Sequence, residues 1–405
     1  MEQHHQTRHF DERDSLFARA RLIKGTAAYR DYYRRFPERL QTDEGLRHCG
    51  GLVRLDTAGA FNGEQIRELT PRPPGRLLQV LMRALPPVRS SVEARMKAQA
   101  ETIPDHLPDT DLIQALIDDS TPVIRDYLEA DRRKRPAARR LHGEAGKMAN
   151  VVKQVAKFYG AALVGVVEME DHHYYTHHAS GEPVGRDFKY AVVFAVVMDR
   201  DMINRAPNRE TLLATCNGYI DAAHTGARLS AYIKSLGYET SLSCMVSYDV
   251  PLVQLAERAG IGQIGRCNFI VTKEYGNSVR LGAVLTNLPL EVDVPDDFGL
   301  KDFCMLCGKC AANCPANALS DEEPQLINGC KVWDHDEVAC MHAWMEFGTD
   351  CGICIASCPF TQGVDMEKVN TMKGNPDIMM QILREDADKH GTRACSPHPL
   401  PIAEV

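Results

Sequence analysis

The spacing of hydrophobic positions changes along the chain and divides it into regions. In residues 1–142 apolar side chains recur at the three- and four-residue intervals of helices, interrupted by proline-rich joints, which predicts a helical cap. After residue 142, continuous apolar stretches alternate with amphipathic ones, as is typical of an α/β domain. Residues 366–405 predict one more helix followed by a proline-rich tail.

Residues 143–298 form the predicted α/β core. Continuous apolar runs predict strands buried on both faces, because a half-exposed strand would alternate apolar and polar residues. Amphipathic runs predict helices, and Asn217-Gly218 marks a place where the longest helix would break or kink. The predicted strands are 162–167, 190–198, 239–246, 268–272 and 279–285, and the predicted helices are 148–159, 210–236 and 251–259.

The spacing of cysteines in residues 299–365 is typical of iron–sulfur proteins. Four cysteines follow the pattern C-x2-C-x2-C-x3-C with proline next, the run that encloses a cubane [4Fe-4S] cluster. A second run ends in the same Cys-Pro pair, but Gly348 stands where its first cysteine would be. Zinc ribbons usually separate two C-x2-C pairs and do not need the Cys-Pro closures, which disfavours zinc. The sequence therefore predicts a ferredoxin-like module with two clusters.

The ligands of each cluster follow from the way two-cluster ferredoxins cross their chain. The fourth cysteine of each run ligates the other cluster. The second cluster then lacks one thiolate, which we assign to Cys340 rather than Cys330, because a helix over residues 338–347 would carry Cys340 back over the cluster. The predicted ligands are Cys304, Cys307, Cys310 and Cys358 for the first cluster, and Cys314, Cys340, Cys351 and Cys354 for the second.

The composition indicates which kinds of partner and which cellular compartment are expected. The net charge of −8 argues against a polyanionic partner such as nucleic acid. Fourteen cysteines, eight of them clustered, favour metal ligation in a reducing compartment, and the other six are expected to be small buried side chains. No targeting segment is recognisable, and the longest apolar run, 191–198, is far shorter than the ~20 residues of a membrane helix. We expect a cytoplasmic protein without a membrane partner.

Two further motifs are less specific. Residues 260–265 match G-x-G-x-x-G, but a dinucleotide site needs a strand before the motif and a helix after it, and here the predicted order is reversed. A tight turn whose backbone N–H groups approach a ligand is the better interpretation. His173 and His177 would share one face of a helix, but a polar loop at a cavity mouth is favoured over a metal site.

Five stretches precede the cluster motifs in a specific order: 157–165, 236–238, 255–266, 275–282 and 286–290. In sequence and in order they resemble the cobalamin-dependent reductive dehalogenases. The resemblance covers about residues 145–365, and the first third resembles only loosely the cytoplasmic, non-exported members. It implies a nitroreductase-like α/β core that holds a corrinoid, with the ferredoxin-like module packed against it.

The resemblance also implies a reaction. A base-off cobalamin in the Co(I) state would remove halide from an organohalide, with electrons supplied through the clusters by an external ferredoxin, flavodoxin or separate reductase. Tyr219, a few residues after Thr215, stands at the place of the family's proton donor, and Arg280 at that of its basic partner. No D-x-H-x-x-G run is present, so no histidine is expected below the cobalt. The predicted corrinoid contacts are Gly260, Gly262, Gly265 and Arg266.

Two departures from the family leave the substrate open. Asn277 and Ser278 stand where the common form has Pro-Arg, and Met245 or Ser247 stands where an Asn or Lys is usual. The sister family, the epoxyqueuosine reductases, acts on tRNA and carries a catalytic aspartate three residues before a proline, a place taken here by Tyr248. An iron–sulfur electron carrier without a corrinoid is the other alternative.

Overall fold

A computed structural model describes residues 9–20, 22–48, 110–245 and 247–395. The helices predicted between residues 49 and 109, together with Cys49 and the tail from residue 396, lie outside the described residues. The described part of the first region is helical, as predicted, with α1 (Leu16–Ala20), α2 (Ala27–Arg35), α3 (Pro37–His48) and α4 (Thr110–Arg133). Among the helices that the structure describes, none combines the length and apolar character needed to cross a membrane.

A four-stranded antiparallel sheet forms the centre of the molecule. Its strands are β1 (Leu163–Glu168), β2 (Tyr190–Val197), β3 (Thr240–Ser243) and β6 (Val279–Thr286), in the order β1-β2-β6-β3. Helices α5 (Ala145–Phe158) and α7 (Arg209–Ser235) pack on one face, and α8 (Leu252–Arg258) packs on the other. Successive side chains of a strand point to opposite faces, so Val192 and Phe194 meet α5 and α7 whereas Ala191 and Val193 meet α8. Burial on both faces is what the continuous apolar runs predicted.

The longest helix differs from its prediction at one point. Helix α7 runs from Arg209 to Ser235 without interruption, so the break expected at Asn217-Gly218 is wrong. Gly218 serves close packing instead, because a Cβ placed there would lie 2.8 Å from Cγ of Arg280. The absence of a side chain thus lets the Arg280 side chain lie directly on the helix backbone.

Short elements connect the sheet to the cluster module. Strands β4 (Gln263–Ile264) and β5 (Ile270–Val271) form a small antiparallel pair after α8, much shorter than the strand expected over 268–272. Chain reversal between Cys244 and Ser247 likewise ends β3 before the predicted residue 246. A four-residue helix, α6 (Arg200–Ile203), follows β2 and precedes α7.

The cluster module consists of short helices around an aromatic core. Phe303 and Phe360 meet edge to face with their ring centroids 5.1 Å apart, and Met379 and Ile382 of the last helix pack against them. The helix predicted after residue 366 is therefore part of the core of this module. The elements are α9 (Leu300–Cys307), α10 (Lys309–Ala312), β7 (Gln325–Ile327), β8 (Cys330–Val332), α11 (Glu337–Phe347), α12 (Ile353–Ala356), α13 (Pro359–Gln362), α14 (Met366–Thr371) and α15 (Pro376–His390).

A buried ion pair joins α4 to α7. Nζ of Lys234 donates to Oδ1 of Asp131 over 2.8 Å and to its backbone oxygen over 2.6 Å, and Ser230 also contacts this carboxylate. Both charged side chains are about 95% buried. Removal of one partner from such a pair leaves the other charge buried without compensation, which typically costs about 3–5 kcal/mol.

We therefore expect Asp131→Ala to lower the free energy of unfolding by about 3–5 kcal/mol, measured by denaturant titration of the α/β core. Glu129→Ala on the same helix is the matched control, because its pair with Arg133 is exposed. Such exposed pairs contribute about 0–1 kcal/mol. Equal effects of the two substitutions would contradict the importance of the buried pair.

Candidate iron–sulfur centres and active site

Four thiols surround one cavity at the joint of the core and the cluster module. Helix α9 carries Cys304 and Cys307 in its last turn, and Gly308, with φ of 58°, ends the helix so that the chain turns towards Cys310. Cys358 caps the start of α13, where Pro359 takes the first helical position. The four side chains line one cavity, as the thiolate shell of a cubane cluster requires.

The environment of these thiols is that of the protein interior. Burial raises the pKa of Cys304 to about 12 and that of Cys307 to about 11. Cluster ligands are thiolates, so binding of a cluster here must displace protons from these thiols. The chemistry and number of the donors both fit a [4Fe-4S] group.

A second group of thiols lies beyond the first. Burial, together with the nearby Cys314 and Cys351, raises the pKa of Cys340 to about 12. Cys354 is likewise in electrostatic contact with all three. Helix α11, capped by Asp336 through a hydrogen bond of 3.0 Å, brings Cys340 to this position. The structure therefore places together the four side chains that the sequence assigned to the second cluster.

Cys330, the alternative fourth ligand of the second cluster, lies elsewhere. Cys330 is buried at the start of β8, beside Glu257, Arg258 and Lys301. Among the described residues, no three His, Cys, Asp or Glu side chains converge on a position for a single metal ion. The eight thiols instead form two groups, of which the first lines a cavity and the second consists of electrostatic neighbours.

The proposed proton donor and its cation are close together. Thr215 and Tyr219 are four residues apart on α7 and hence on one face. Nη2 of Arg280, at the start of β6, donates to Oγ1 of Thr215 over 2.9 Å, and its guanidinium carbon lies 4.8 Å from the centroid of the Tyr219 ring. Within the described part of the chain, the buried Nε of Arg280 has no hydrogen-bond partner.

Asp350, which the sequence analysis did not single out, connects this site to the second thiol group. It directly precedes Cys351 and is buried. Burial raises the pKa of Asp350, and this effect is opposed by Arg280 and by a hydrogen bond from Thr215. Its only signal in the sequence was its place beside a cluster cysteine.

The glycine-rich turn faces the first thiol group. A Cβ at Gly265 would lie 2.8 Å from Cγ2 of Val271, and Sγ of Cys304 is 3.9 Å away. The Arg266 guanidinium donates to the Cys304 carbonyl oxygen over 3.1 Å and to that of Ser320 over 2.7 Å. Gly260 and Gly262 pack against the backbone of residues 294 and 271, respectively. A contact of these four residues with a corrinoid stays a prediction.

The histidine-rich segment is not the helix that would align His173 with His177. Only Asp171–His173 are helical, as a single 3-10 turn, and His177 lies in a bridge to Pro183. His173 is buried, and its Nδ1 accepts a hydrogen bond of 3.1 Å from the Glu170 backbone. The two imidazoles thus belong to different local structures.

Of the six cysteines outside the predicted ligand sets, Cys216, Cys244, Cys267 and Cys330 are buried, as expected. The expectation is wrong for Cys395, which is exposed at the end of the described chain. Cys267 was not recognised as part of a site, although it lines the first thiol cavity.

Substitution of Cys340 and substitution of Cys330 are expected to affect the iron content differently. Cys340→Ala is expected to lower the iron content from about eight atoms per chain towards four, or to leave a three-iron cluster, because one ligand of a cubane is lost. Cys330→Ala, at a buried site away from both groups, is the control and should keep the full iron content. Iron analysis and electron paramagnetic resonance of anaerobically purified protein measure both, and equal losses would refute the assignment.

Comparison with known proteins agrees with this arrangement. Residues 303–362 match the 4Fe-4S dicluster domain family. The tetrachloroethene reductive dehalogenase of Sulfurospirillum multivorans is 36% identical over 180 residues, which are 42% of this chain and 35% of that protein. The epoxyqueuosine reductase of Lactococcus garvieae is 31% identical over 159 residues, 36% of this chain and 44% of that protein. The chain thus matches only about a third to a half of each relative.

Solved structures give the fold. A reductive dehalogenase structure described as suggesting a mechanism for B12-dependent dehalogenation aligns with a TM-score of 0.62 and 23% identity, over 69% of this chain and 42% of that one. A catabolic reductive dehalogenase in complex with 3-bromo-4-hydroxybenzoic acid aligns with a TM-score of 0.61, over the same shares of the two chains. The predicted α/β fold with a C-terminal two-cluster module is confirmed. The chain is therefore similar to part of the reductive dehalogenases, shares the fold of their solved structures and carries a 4Fe-4S dicluster domain.

Proposed function

We propose that this protein is a reductive dehalogenase that replaces a halogen of an organic substrate by hydrogen. The reaction takes two electrons and one proton and releases halide. A base-off corrinoid, when bound, would supply the low-valent cobalt that breaks the carbon–halogen bond. The two clusters would deliver the electrons one at a time, and the chain itself would supply the proton.

The observation that carries this proposal is the arrangement of Tyr219, Arg280 and Thr215. A buried N–H without a partner costs about 1–3 kcal/mol, so the free Nε of Arg280 fits a site whose occupant brings a hydrogen-bond acceptor. The same guanidinium lies 4.8 Å from the Tyr219 ring. These features fit a pocket that binds a group beside a phenol.

Tyr219 has the role of proton donor in this proposal. A positive charge beside a phenol stabilises the phenolate left after proton transfer, and Arg280 provides that charge. Thr215 fixes the guanidinium through its hydrogen bond of 2.9 Å. In a site that excludes water, a donor fixed in this way protonates the carbon from which halide has left.

The second cluster is the one that would pass electrons to this site. Asp350, next to its ligand Cys351, accepts a hydrogen bond from Thr215 and interacts electrostatically with Arg280. The first cluster would then receive electrons from an external carrier, a ferredoxin, a flavodoxin or a separate reductase. Leu306, between Cys304 and Cys307, is 49% exposed and offers an apolar contact for that carrier beside the first cluster.

The reducing conditions that eight cluster thiolates require make the cytoplasm the proposed location. The proposed substrate class is organohalides, as in the names of the dehalogenase relatives. Neither nucleic acid nor a membrane is proposed as a partner, in agreement with the acidic net charge.

The similarity to epoxyqueuosine reductases favours a second candidate, a corrinoid enzyme that acts on tRNA. Asp249 is then the nearest carboxylate to the position of that family's catalytic residue. Its Oδ2 accepts a hydrogen bond of 2.5 Å from Ser241, and its Oδ1 lies 3.6 Å from His178. Because these contacts hold the carboxylate against the protein, the observations support dehalogenation better.

Tyr219→Phe tests the proton donor. The substitution keeps the ring and its packing and deletes only the hydroxyl, so cobalt and iron contents and reduction to Co(I) should be unchanged. General acid catalysis is typically worth about 10²–10⁴-fold, and we expect product formation to fall at least ~100-fold. Tyr232→Phe, on the same helix and against the same core, is the control. A rate within about threefold of wild type, well short of the general-acid range, would remove Tyr219 from the mechanism.

Cofactor loading separates the enzyme from a plain electron carrier. Anaerobic reconstitution should load one corrinoid per chain, and the Co(II) form should show a base-off resonance without nitrogen splitting from a lower ligand. A carrier would retain iron but no cobalt. Gly262→Val is a poor probe of this contact, because a Cβ there would lie 2.4 Å from the Val271 carbonyl oxygen and disturb the fold itself. Cobalt analysis of the wild-type protein is the direct measurement, and nitrogen splitting would contradict the base-off form.

A further inference from the structure

One ligand assigned to the second cluster depends on the placement of a helix. Cys351 and Cys354 belong to one short cysteine run, whereas Cys340 is brought in by α11. Cys340 lies three residues after Glu337, the first residue of that helix, and residues three apart share one helix face. A displacement of the start of α11 would therefore move this thiol relative to the other ligands.

A segment from the beginning of the described chain contacts the start of α11. We call residues 10–16 the N-terminal segment. The backbone N–H of Leu16, a fully buried residue, donates to Oε2 of Glu337 over 2.7 Å. Within the cluster module, the Asp336 N–H donates to the Ala318 carbonyl oxygen over 2.9 Å. The start of α11 is thus held from its own module and also from outside it.

The same segment is bound to the α/β core. The Thr176 N–H donates to the Phe10 carbonyl oxygen over 2.7 Å, and the Glu12 N–H donates to the His177 carbonyl oxygen over 3.0 Å. Oε2 of Glu12 accepts a further hydrogen bond of 2.7 Å from the Ala179 N–H. These partners belong to the loop between β1 and β2, so the N-terminal segment connects this loop to α11.

A buried ion pair fixes the conformation of the N-terminal segment. Arg13 is fully buried, and its Nε and Nη2 donate to the two carboxylate oxygens of Asp11 over 2.8 Å and 2.7 Å. Its Nη1 donates to the Ala28 carbonyl oxygen over 3.2 Å. Such bidentate, charge-assisted pairs are strong and geometrically specific. The segment can therefore fix the distance between the core loop and α11.

We propose that the N-terminal segment is a clamp between the α/β core and α11, and that Glu337 is the positioning residue through which it holds Cys340 at the second cluster. Four thiolates hold a cubane cluster, so a thiolate that is loosely placed leaves its iron open to loss. The proposal goes beyond dehalogenation and depends on neither substrate nor corrinoid. It rests on the assignment of Cys340 to the second cluster, which the iron content of Cys340→Ala tests separately.

The test is the rate at which a ferrous-iron chelator removes iron from anaerobically purified protein with both clusters. Glu337→Ala deletes the acceptor of the Leu16 N–H. We expect one cluster to lose iron at least about tenfold faster than in wild type, since a hydrogen bond to a charged group is lost. Electron paramagnetic resonance should identify it as the cluster that Cys340→Ala alters, and the other cluster should keep its wild-type rate.

Two variants on the same helix control for charge. Glu337→Gln keeps an acceptor oxygen for the Leu16 N–H and should stay within about threefold of the wild-type rate, because a neutral acceptor retains part of the interaction. Glu346→Ala removes an exposed carboxylate near the end of α11 and should leave the rate unchanged.

Two further variants test the path of the clamp. Glu12→Ala loosens the N-terminal segment from the core without touching α11, and it should accelerate iron loss from the same cluster. In a Cys340→Ala background, Glu337→Ala should not change the release of the remaining iron, because the thiol that it positions is absent.

The proposal is overturned if Glu337→Ala or Glu12→Ala releases iron at the wild-type rate, or if both clusters lose iron equally. It is also overturned if Glu337→Gln is as labile as Glu337→Ala, which would assign the effect to charge, or if Glu337→Ala still accelerates iron loss without Cys340.

Discussion

The α/β core and the cluster module approach each other closely at glycine residues, and the rest of the structure depends on this contact. A Cβ at Gly276 would lie 2.2 Å from the backbone nitrogen of Thr361, and one at Gly352 would lie 2.4 Å from Cγ2 of Thr211. Both glycines have positive φ, which other residues rarely adopt. Backbone thus meets backbone at Gly276, and the small side chain of Thr211 lies directly on the backbone at Gly352, which brings the buried thiols close to the core.

Polar groups at this contact must be satisfied, because a buried group without a partner is costly. Arg266 meets this requirement with carbonyl oxygens of the cluster module, and Asn277 meets it with Thr361 and Cys267. Arg280 meets it only in part, through Thr215, and keeps a buried Nε free. This Nε lies at the place where the dehalogenation proposal needs a bound group.

Local sequence patterns predicted strands correctly where burial of apolar side chains is the dominant interaction. The continuous apolar runs predicted two buried strands, and the structure has both. Predictions failed where a distant contact decided the outcome. Gly218 suggested a break by its intrinsic flexibility, yet it stays helical because Arg280 packs on it. Helix α15 was predicted as a helix without a packing partner, and the structure packs it into the core of the cluster module.

The sequence by itself determined the two cysteine runs, the core strands and the residues that resemble a dehalogenase site, because these depend on spacing along the chain. Only the tertiary structure decided which side chains become neighbours across long separations. Asn277 was read as the loss of a family residue, but folding places it against Cys267 and Thr361. Cys267 and Asp350 gain their positions in the same way. Spacing cannot encode such contacts, since they arise when separate segments are packed together and desolvated.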